Sequence, residues 1–464
     1  MGSKDDKPPR QLGLSKIATN IGHTLGRQLL GFLFGLGTVV IIARVLGPEG
    51  NGQYAIALLL PTFLLTMLEL GIGAANVYYV GGQVVRLHTA FKASLSIWIG
   101  LTCIGMFIGG ASIIFYGDML FPGMPTLLLW LALLSFPSGL LQFYLGSLLQ
   151  AVQDFRRYNL ATISLPAMMF GVVSLLFVIG GGITSVIAAL VLVQVVNVII
   201  HYLLVRHHLK SDVNELLKTE QAINHKQYTI QAARYGIKAH GSGVLTFINY
   251  RADLFMVNLI LNPATAGIYV IAISLSEKLW FLSQSISTVL LPRLAELHHD
   301  DEIRKQLTPL IARWTLIFTT AGAIALAIIA PFLIMILFGP AYRETLKPLL
   351  FLLPGVVSWS LVRILANDLA SRGRPELNMY NMAIVVVINI IGNIVLIPRM
   401  GITGAALATT IAYLVACVTQ VSMYAQVSKN SWYEVFLFNA YDAQIVHQLH
   451  LVLAKIAGLK SVNP

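Results

Sequence analysis

Charge is scarce in this chain. Asp, Glu, Lys and Arg make up 11% of its 464 residues, and the mean hydropathy is +0.76. A soluble domain carries about 25% charged residues, so the solvent for most of this chain is lipid rather than water. Cysteine is almost missing. Cys103 and Cys417 both lie in apolar runs, which excludes a disulfide framework and a paired-thiol metal site. Enzyme signatures are missing too. Gly47-Pro-Glu-Gly-Asn-Gly52 has glycines but no phosphate-loop lysine, and a tight hairpin accounts for it. His298-His-Asp-Asp301 sits among charges and reads as a solvated face, not a metal site. No nucleophile constellation stands out, and no long loop offers an external catalytic domain.

Long apolar runs are what the chain has instead. Runs of about 18 or more mostly apolar residues mark membrane spans. The first half gives 21–45, 53–75, 93–116, 126–150, 160–179 and 185–205, and the second gives 236–261, 266–290, 312–338, 348–370, 379–397 and 402–425. The expected fold is therefore an all-α polytopic membrane protein of about twelve helices. Residues 1–20 form a polar, basic N-terminal segment, and the first run is too long for a signal-peptide core. Residues 21–205 make an N-terminal lobe, 206–235 an exposed cytoplasmic linker with some amphipathic helix, and 236–425 a C-terminal lobe. In the tail, 426–464, Trp432–Phe438 and an apolar stripe from Ile445 to Ile456 predict an interfacial helix.

The net charge of +11 raises nucleic acid as a partner, but the placement of the charges answers otherwise. With the N-terminus in the cytoplasm, 22 of the 31 lysines and arginines fall inside and six fall in or at the ends of spans. Only Arg343, Lys347 and Arg399 fall outside. This is the asymmetry of a multi-pass protein of the plasma (inner) membrane with both termini cytoplasmic. The basic residues face lipid headgroups and cytosol, not nucleic acid.

The halves repeat. Leu46-Gly-Pro-Glu-Gly-Asn-Gly-Gln-Tyr-Ala-Ile-Ala57 returns as Leu261-Asn-Pro-Ala-Thr-Ala-Gly-Ile-Tyr-Val-Ile-Ala272, with Leu, Pro, Gly, Tyr, Ile and Ala coinciding. Gly182-Ile-Thr184 matches Gly401-Ile-Thr403, while Leu120-Phe121 and Pro137 match Leu337-Phe338 and Pro354. Two six-span halves that start on the same side are parallel repeats, and such halves enclose a cavity.

Ionisable residues inside spans cost roughly 2.5 to 3.5 kcal/mol each, so they mark function by default. Arg251 is the foremost, in a span that also holds Asn249, Tyr250 and Asp253. At about 100° per residue, His240, Arg251 and Asn258 share a face, and Asp253 points nearly the opposite way. Glu69 lines up with Thr62 and Asn76, Glu277 with Gln284 and Thr288, Arg363 with Ser360 and Asn367, and Gln194 with Asn197 and His201. Uncharged stripes of this kind are more often interhelical hydrogen bonds, worth about 0.6 kcal/mol each. Arg27, near the cytoplasmic end of its span, stands between the two accounts. The expected cavity residues are Arg251, His240, Asn258, Arg27, Arg363, Glu277 and Glu69, with Asp253 structural or coupling.

The sequence from Ala43-Arg-Val-Leu-Gly-Pro-Glu-Gly-Asn-Gly-Gln-Tyr through Arg251-Ala-Asp253 and Gly267-Ile-Tyr269 to Leu291-Pro292 resembles the polysaccharide-transporter family of O-antigen and oligosaccharide flippases. That family belongs to the multidrug, oligosaccharidyl-lipid and polysaccharide exporter superfamily. The resemblance covers about residues 15–425. It implies two six-helix lobes around a cationic cavity, with alternating access carrying an isoprenoid-diphosphate-linked oligosaccharide to the outer leaflet. No cofactor is implied; coupling to H+ or Na+ is left open, and glycan polymerase machinery would be a further partner. Lipid II flippases of the superfamily typically have two more spans, which argues against lipid II as cargo. A cation-coupled multidrug exporter is the rival reading, and carboxylates should dominate its cavity, whereas Arg27, Arg251, Lys278 and Arg363 stand here against Glu69, Asp253 and Glu277. A membrane glycan polymerase or ligase should show a long outer loop, and none is found.

Overall fold

The computed structural model describes residues 14–216, 225–296, 301–438 and Asp442, and the regular structure among them is entirely helical. Helices α1 (Leu14–Ala57), α2 (Leu59–Leu68), α3 (Ile72–Gly81) and α4 (Leu87–Leu120) are followed by α5 (Thr126–Leu133), α6 (Ser135–Ala151), α7 (Phe155–Val178) and α8 (Ile183–Leu216). Then come α9 (His225–Ile260), α10 (Pro263–Ser276), α11 (Trp280–Glu296), α12 (Asp301–Leu337), α13 (Leu346–Ser371), α14 (Pro375–Met400) and α15 (Ile402–Ser428). Among the described residues, nine stretches are long and apolar enough to cross a membrane. The first, Leu30–Leu68, is 39 residues long and covers two of the expected spans. Inside it Gly47, at φ 66° and ψ −174°, holds a conformation only glycine adopts readily, so the helical path bends there. Large apolar side chains such as Phe107, 78% exposed, coat the helices in a way that only lipid would cover. The chain is a multi-pass membrane protein.

Local chemistry fixes the helix starts. Asn262 precedes Pro263, and its side chain accepts the Thr265 amide at 2.8 Å, an N-cap with proline at the first position. Asp154 caps α7 by accepting the Arg157 amide at 3.0 Å, and its other oxygen takes Arg157 Nη1 at 2.6 Å and His208 Nε2 at 2.9 Å. Burial works against the charged form of Asp154, but these donors outweigh it and hold the carboxyl below its ordinary range.

The chain divides into two compact units, one of Met1–Leu46, Ala57–Asp118 and Met124–Gly241, the other of Gly47–Ile56, Met119–Gly123 and Ser242–Pro464. In the first, α6 lies at the centre, against α3, α7 and α8. Phe136, Leu140, Tyr144, Leu148 and Leu149 are buried along it. Asn76 ties this core together by donating to Ser94 Oγ (3.1 Å) and Ser147 Oγ (2.9 Å) and accepting from the Tyr228 hydroxyl (2.8 Å). Tyr228 belongs to the segment expected to be an exposed linker. Its burial, with Ala232, shows that the first turns of α9 pack into the unit instead; residues 217–224 lie outside the described residues.

In the second unit α13 packs against α11, α12 and α15, and α14 packs on α15. Ala405, Ala406, Ala412 and Ala416 of α15 let the helices approach closely. Arg313, fully buried in α12, forms an ion pair of 2.6 Å with Asp442 and donates to the Glu434 carbonyl. The start of the tail is thereby fastened to this unit. Trp432–Val435 form a short 3-10 turn, and the stripe Ile445–Ile456 lies outside the described residues.

The repeat also shows as a contact. A Cβ on Gly52 would lie 1.7 Å from the Pro263 carbonyl oxygen, and one on Gly267 would lie 1.9 Å from that of Pro48. The two copies of the hairpin therefore meet backbone to backbone, each with its glycine under the other's proline. Asn51 Nδ2 closes the contact by donating to the Gly267 carbonyl at 2.9 Å.

Candidate functional site

The site grows from one turn of α9. Successive residues of a helix point about 100° apart, so Asn249, Tyr250, Arg251 and Asp253 serve different surroundings. Arg251 is 36% exposed at its side chain, and its Nη1 donates to Glu277 Oε1 at 3.3 Å and to the Tyr250 carbonyl at 3.2 Å. Glu277, 25% exposed, stands where α10 gives way to the 3-10 turn Glu277–Leu279. That break turns the carboxylate toward α9. From α13, Arg363 donates to Gln284 Oε1 at 2.7 Å and to the Tyr250 hydroxyl at 3.4 Å, with its guanidinium carbon 5.6 Å from the centre of the Trp280 ring. The floor is aromatic: Tyr250 lies 5.0 Å from Trp280, and Trp359 stacks on Tyr413 at 4.6 Å. Arg251 and Lys278 thus stand beside one partly exposed carboxylate, with Arg363 at the Tyr250 hydroxyl and the Trp280 ring of the apolar base. Such a surface attracts an anion and supplies it with forked N–H donors.

Asp253 lies behind it. It is 3% exposed, and its Oδ2 accepts the Tyr269 hydroxyl at 2.8 Å and the Thr409 hydroxyl at 3.3 Å while Oδ1 accepts the Leu254 amide at 2.7 Å. The network runs on, since Asn389 donates to Thr409 Oγ1 at 3.0 Å and Asn393 to Asn389 Oδ1 at 2.9 Å. A cavity of about 20 Å³, bordered by Asn249, Asp253, Glu277, Thr409 and Tyr413, adjoins this network. It is large enough for one water. Among the described residues Asn249 Oδ1 has no partner there.

Asp253→Ala deprives three donors of their acceptor, which should cost about 2 to 4 kcal/mol. A markedly lower melting temperature is expected for the purified variant, with transport falling only in proportion to folded protein. An unchanged melting curve would show that these hydrogen bonds contribute nothing to the fold.

The structure pairs Arg251 with Glu277 and sets Arg363 at the Tyr250 hydroxyl, but it does not assemble the expected stripe along α9. Residues 11 and 7 apart on a helix lie about 16 and 10 Å apart along its axis, so an equal angle does not give an equal neighbour. His240 Nε2 lies 2.9 Å from the Met67 carbonyl in the first unit. Asn258 is fully buried, with its Nδ2 3.5 Å from the Pro122 carbonyl. Glu69 ends α2, where its backbone carbonyl accepts the Tyr144 hydroxyl at 3.2 Å. The backbone of Arg27 belongs to α1, and its side chain lies outside the described ones. Sequence reasoning named Tyr250 but did not assemble the aromatic floor, for which the spacing of Glu277 and Trp280, three apart, was a usable signal.

Comparison with known proteins follows the same direction. A family model described as "Polysaccharide biosynthesis protein" matches residues 17–298, a stretch that includes Arg251, Asp253 and Glu277. The succinoglycan biosynthesis transport protein ExoT of Rhizobium meliloti (strain 1021) is 24% identical over 350 residues, covering 74% of this chain and 67% of that protein. The amylovoran biosynthesis protein AmsL of Erwinia amylovora is 29% identical over 122 residues, 26% of this chain and 31% of that protein. Among solved structures, the lipid II flippase MurJ in an inward closed conformation superposes with a TM-score of 0.68 at 16% identity, covering 94% of this chain and 98% of that one. An inward-facing multidrug resistance MATE family transporter of the MOP superfamily gives 0.69 at 13% identity, covering 86% and 94%. At such identities the two structures establish the fold alone.

Proposed function

The chain belongs to the polysaccharide biosynthesis protein family, and from that premise we propose that it is a flippase. Its cargo is an undecaprenyl-diphosphate-linked oligosaccharide, moved from the cytoplasmic to the outer leaflet of the plasma membrane. The observation that carries this reading is the partly exposed guanidinium of Arg251, with Lys278 near it and Arg363 at the hydroxyl of the neighbouring Tyr250. A diphosphate is multiply anionic, and in a partly dry site charge-assisted hydrogen bonds bind it far better than water screens it. Glu277 keeps Arg251 paired while the site is empty and yields it to the cargo. A cation-coupled multidrug exporter is disfavoured, because a cationic drug would meet like charge here.

The reading takes Leu30–Leu68 as two crossings about Gly47, and α9 and α10–α11 as one each, which completes twelve with both termini in the cytoplasm. Two six-helix lobes then rock about a central cavity. Entry of H+ or Na+ would drive the cycle, and glycan polymerase machinery would take up the product outside. Proteoliposomes holding the purified protein test the cargo: undecaprenyl diphosphate carrying a tetrasaccharide should become accessible to an impermeant lectin only when the protein is present. Equal accessibility in protein-free vesicles, or efflux of cationic dyes instead, would sink the proposal.

A further inference from the structure

The first unit contains a cavity of about 600 Å³ among α3, α6, α7 and α8, within the range of small-molecule sites. It plays no part in the site described above. Its lining is apolar at Val77, Phe143 and Leu165 and polar at Gln142, Gln194, Asn197 and His201. Among the described residues no Asp, Glu, Lys or Arg lines it, so neither a diphosphate nor a bare cation finds a partner there. The polar lining carries a deficit of donors. Asn197 is 0% exposed, and its amide donates to the Ala161 carbonyl at 3.2 Å and Ser164 Oγ at 2.6 Å. Its Oδ1, however, has no partner among the described residues, and neither has Oε1 of Gln194. His201 Nδ1 lies 2.9 Å from the Asn197 carbonyl. A carbonyl oxygen only accepts, so Nδ1 carries the proton, and in the neutral ring Nε2 is a third acceptor. Each buried acceptor left unmatched costs about 1 to 3 kcal/mol. An acyl or isoprenoid chain would leave Asn197 Oδ1 and Gln194 Oε1 unmatched, whereas a group rich in hydroxyls satisfies them, can also donate to His201 Nε2, and lays its apolar face on Phe143.

We infer that this cavity binds an uncharged sugar residue of the cargo, its hydroxyls donating to Asn197, Gln194 and His201. The inference rests on the flippase reading and adds a glycan site to the diphosphate site. Glycines keep the space open: a Cβ on Gly146 would lie 3.8 Å from His201 Nε2 and from the Tyr158 ring, an ordinary contact, so a leucine there extends into the cavity without a backbone clash.

The test compares two probes in proteoliposomes, bare undecaprenyl diphosphate and the same carrier bearing a glucose tetrasaccharide. Gly146→Leu fills the cavity. Gln194→Met keeps its length but removes the unmatched acceptor, so it should hold or raise the melting temperature. Both variants should move the tetrasaccharide carrier about tenfold more slowly, the equivalent of one or two net hydrogen bonds, and the bare carrier at the wild-type rate. Thr162→Cys, on the cavity wall, made with Cys103→Ser and Cys417→Ser, should be shielded from a maleimide by maltotetraose and not by pyrophosphate. Equal rates for both probes in both variants, an equal loss on both, or no shielding by maltotetraose would overturn the inference while leaving the flippase reading intact. Movement of neither probe by the wild-type protein would refute the flippase reading itself.

Discussion

Arg251→Ala is expected to leave a folded, membrane-inserted protein that moves a diphosphate-linked oligosaccharide about a hundredfold more slowly. Truncating one partner of a charge-assisted, partly desolvated contact costs about 2 to 5 kcal/mol, and about 2.8 kcal/mol is a factor of a hundred. Arg251→Lys should be partly active, because it keeps the charge but loses the planar fork. The pair with Glu277 offers an alternative account, in which Arg251 only neutralises a neighbouring carboxylate. The exchange Arg251→Glu with Glu277→Arg separates the two. It restores an ion pair without restoring a guanidinium on α9, so stability should recover and transport should not. The measurements are a melting curve and a flipping rate normalised to folded protein for each variant. Wild-type transport by folded Arg251→Ala, or full rescue by the exchange, would leave Arg251 as a structural residue and remove the main support for an anionic cargo.

Much of the architecture was legible because the membrane simplifies it. Backbone groups in lipid must be satisfied within the segment, so apolar length alone located the helices, and among the described residues nine stretches are long and apolar enough to cross. The repeat was legible as well, since Gly and Pro mark turns that tolerate no other residue. The surroundings of the polar residues were not. Asp253 meets Tyr269, 16 residues on, but also Thr409, 156 residues on, and no pattern in one sequence links α9 to α15. Asn258 and His240 failed to join Arg251 because an angular argument ignores height along the helix and the identity of the neighbour. The linker shows a related limit. Tyr228 looked exposed in a charged stretch, yet its hydroxyl has a buried acceptor in Asn76, which composition does not reveal.

Gly52→Ala and Gly267→Ala should each abolish the packing of the two repeat hairpins. Their Cβ atoms would meet backbone carbonyl oxygens at 1.7 and 1.9 Å, and no rotamer change relieves a clash with backbone. The hairpins must separate, at an expected cost of about 3 kcal/mol or more, which depopulates the packed state by a factor of roughly a hundred. Because the contact is reciprocal, the two substitutions should have similar effects, a property that an ordinary packing defect would not share. In the proposed alternating access this contact forms and parts in every cycle, so transport should fall steeply in both variants while the membrane-inserted protein remains intact. Gly35→Ala is the control: a Cβ there meets nothing within 4 Å, and alanine favours the helix by about 1 kcal/mol. A short thiol cross-linker between Glu49→Cys and Thr265→Cys reports the packed state directly. Its yield should be high in the parent and in Gly35→Ala, and low in Gly52→Ala and Gly267→Ala. A parent whose cross-link is complete and whose transport continues unabated would show that the hairpins stay joined throughout the cycle, and the two lobes would then have to open elsewhere.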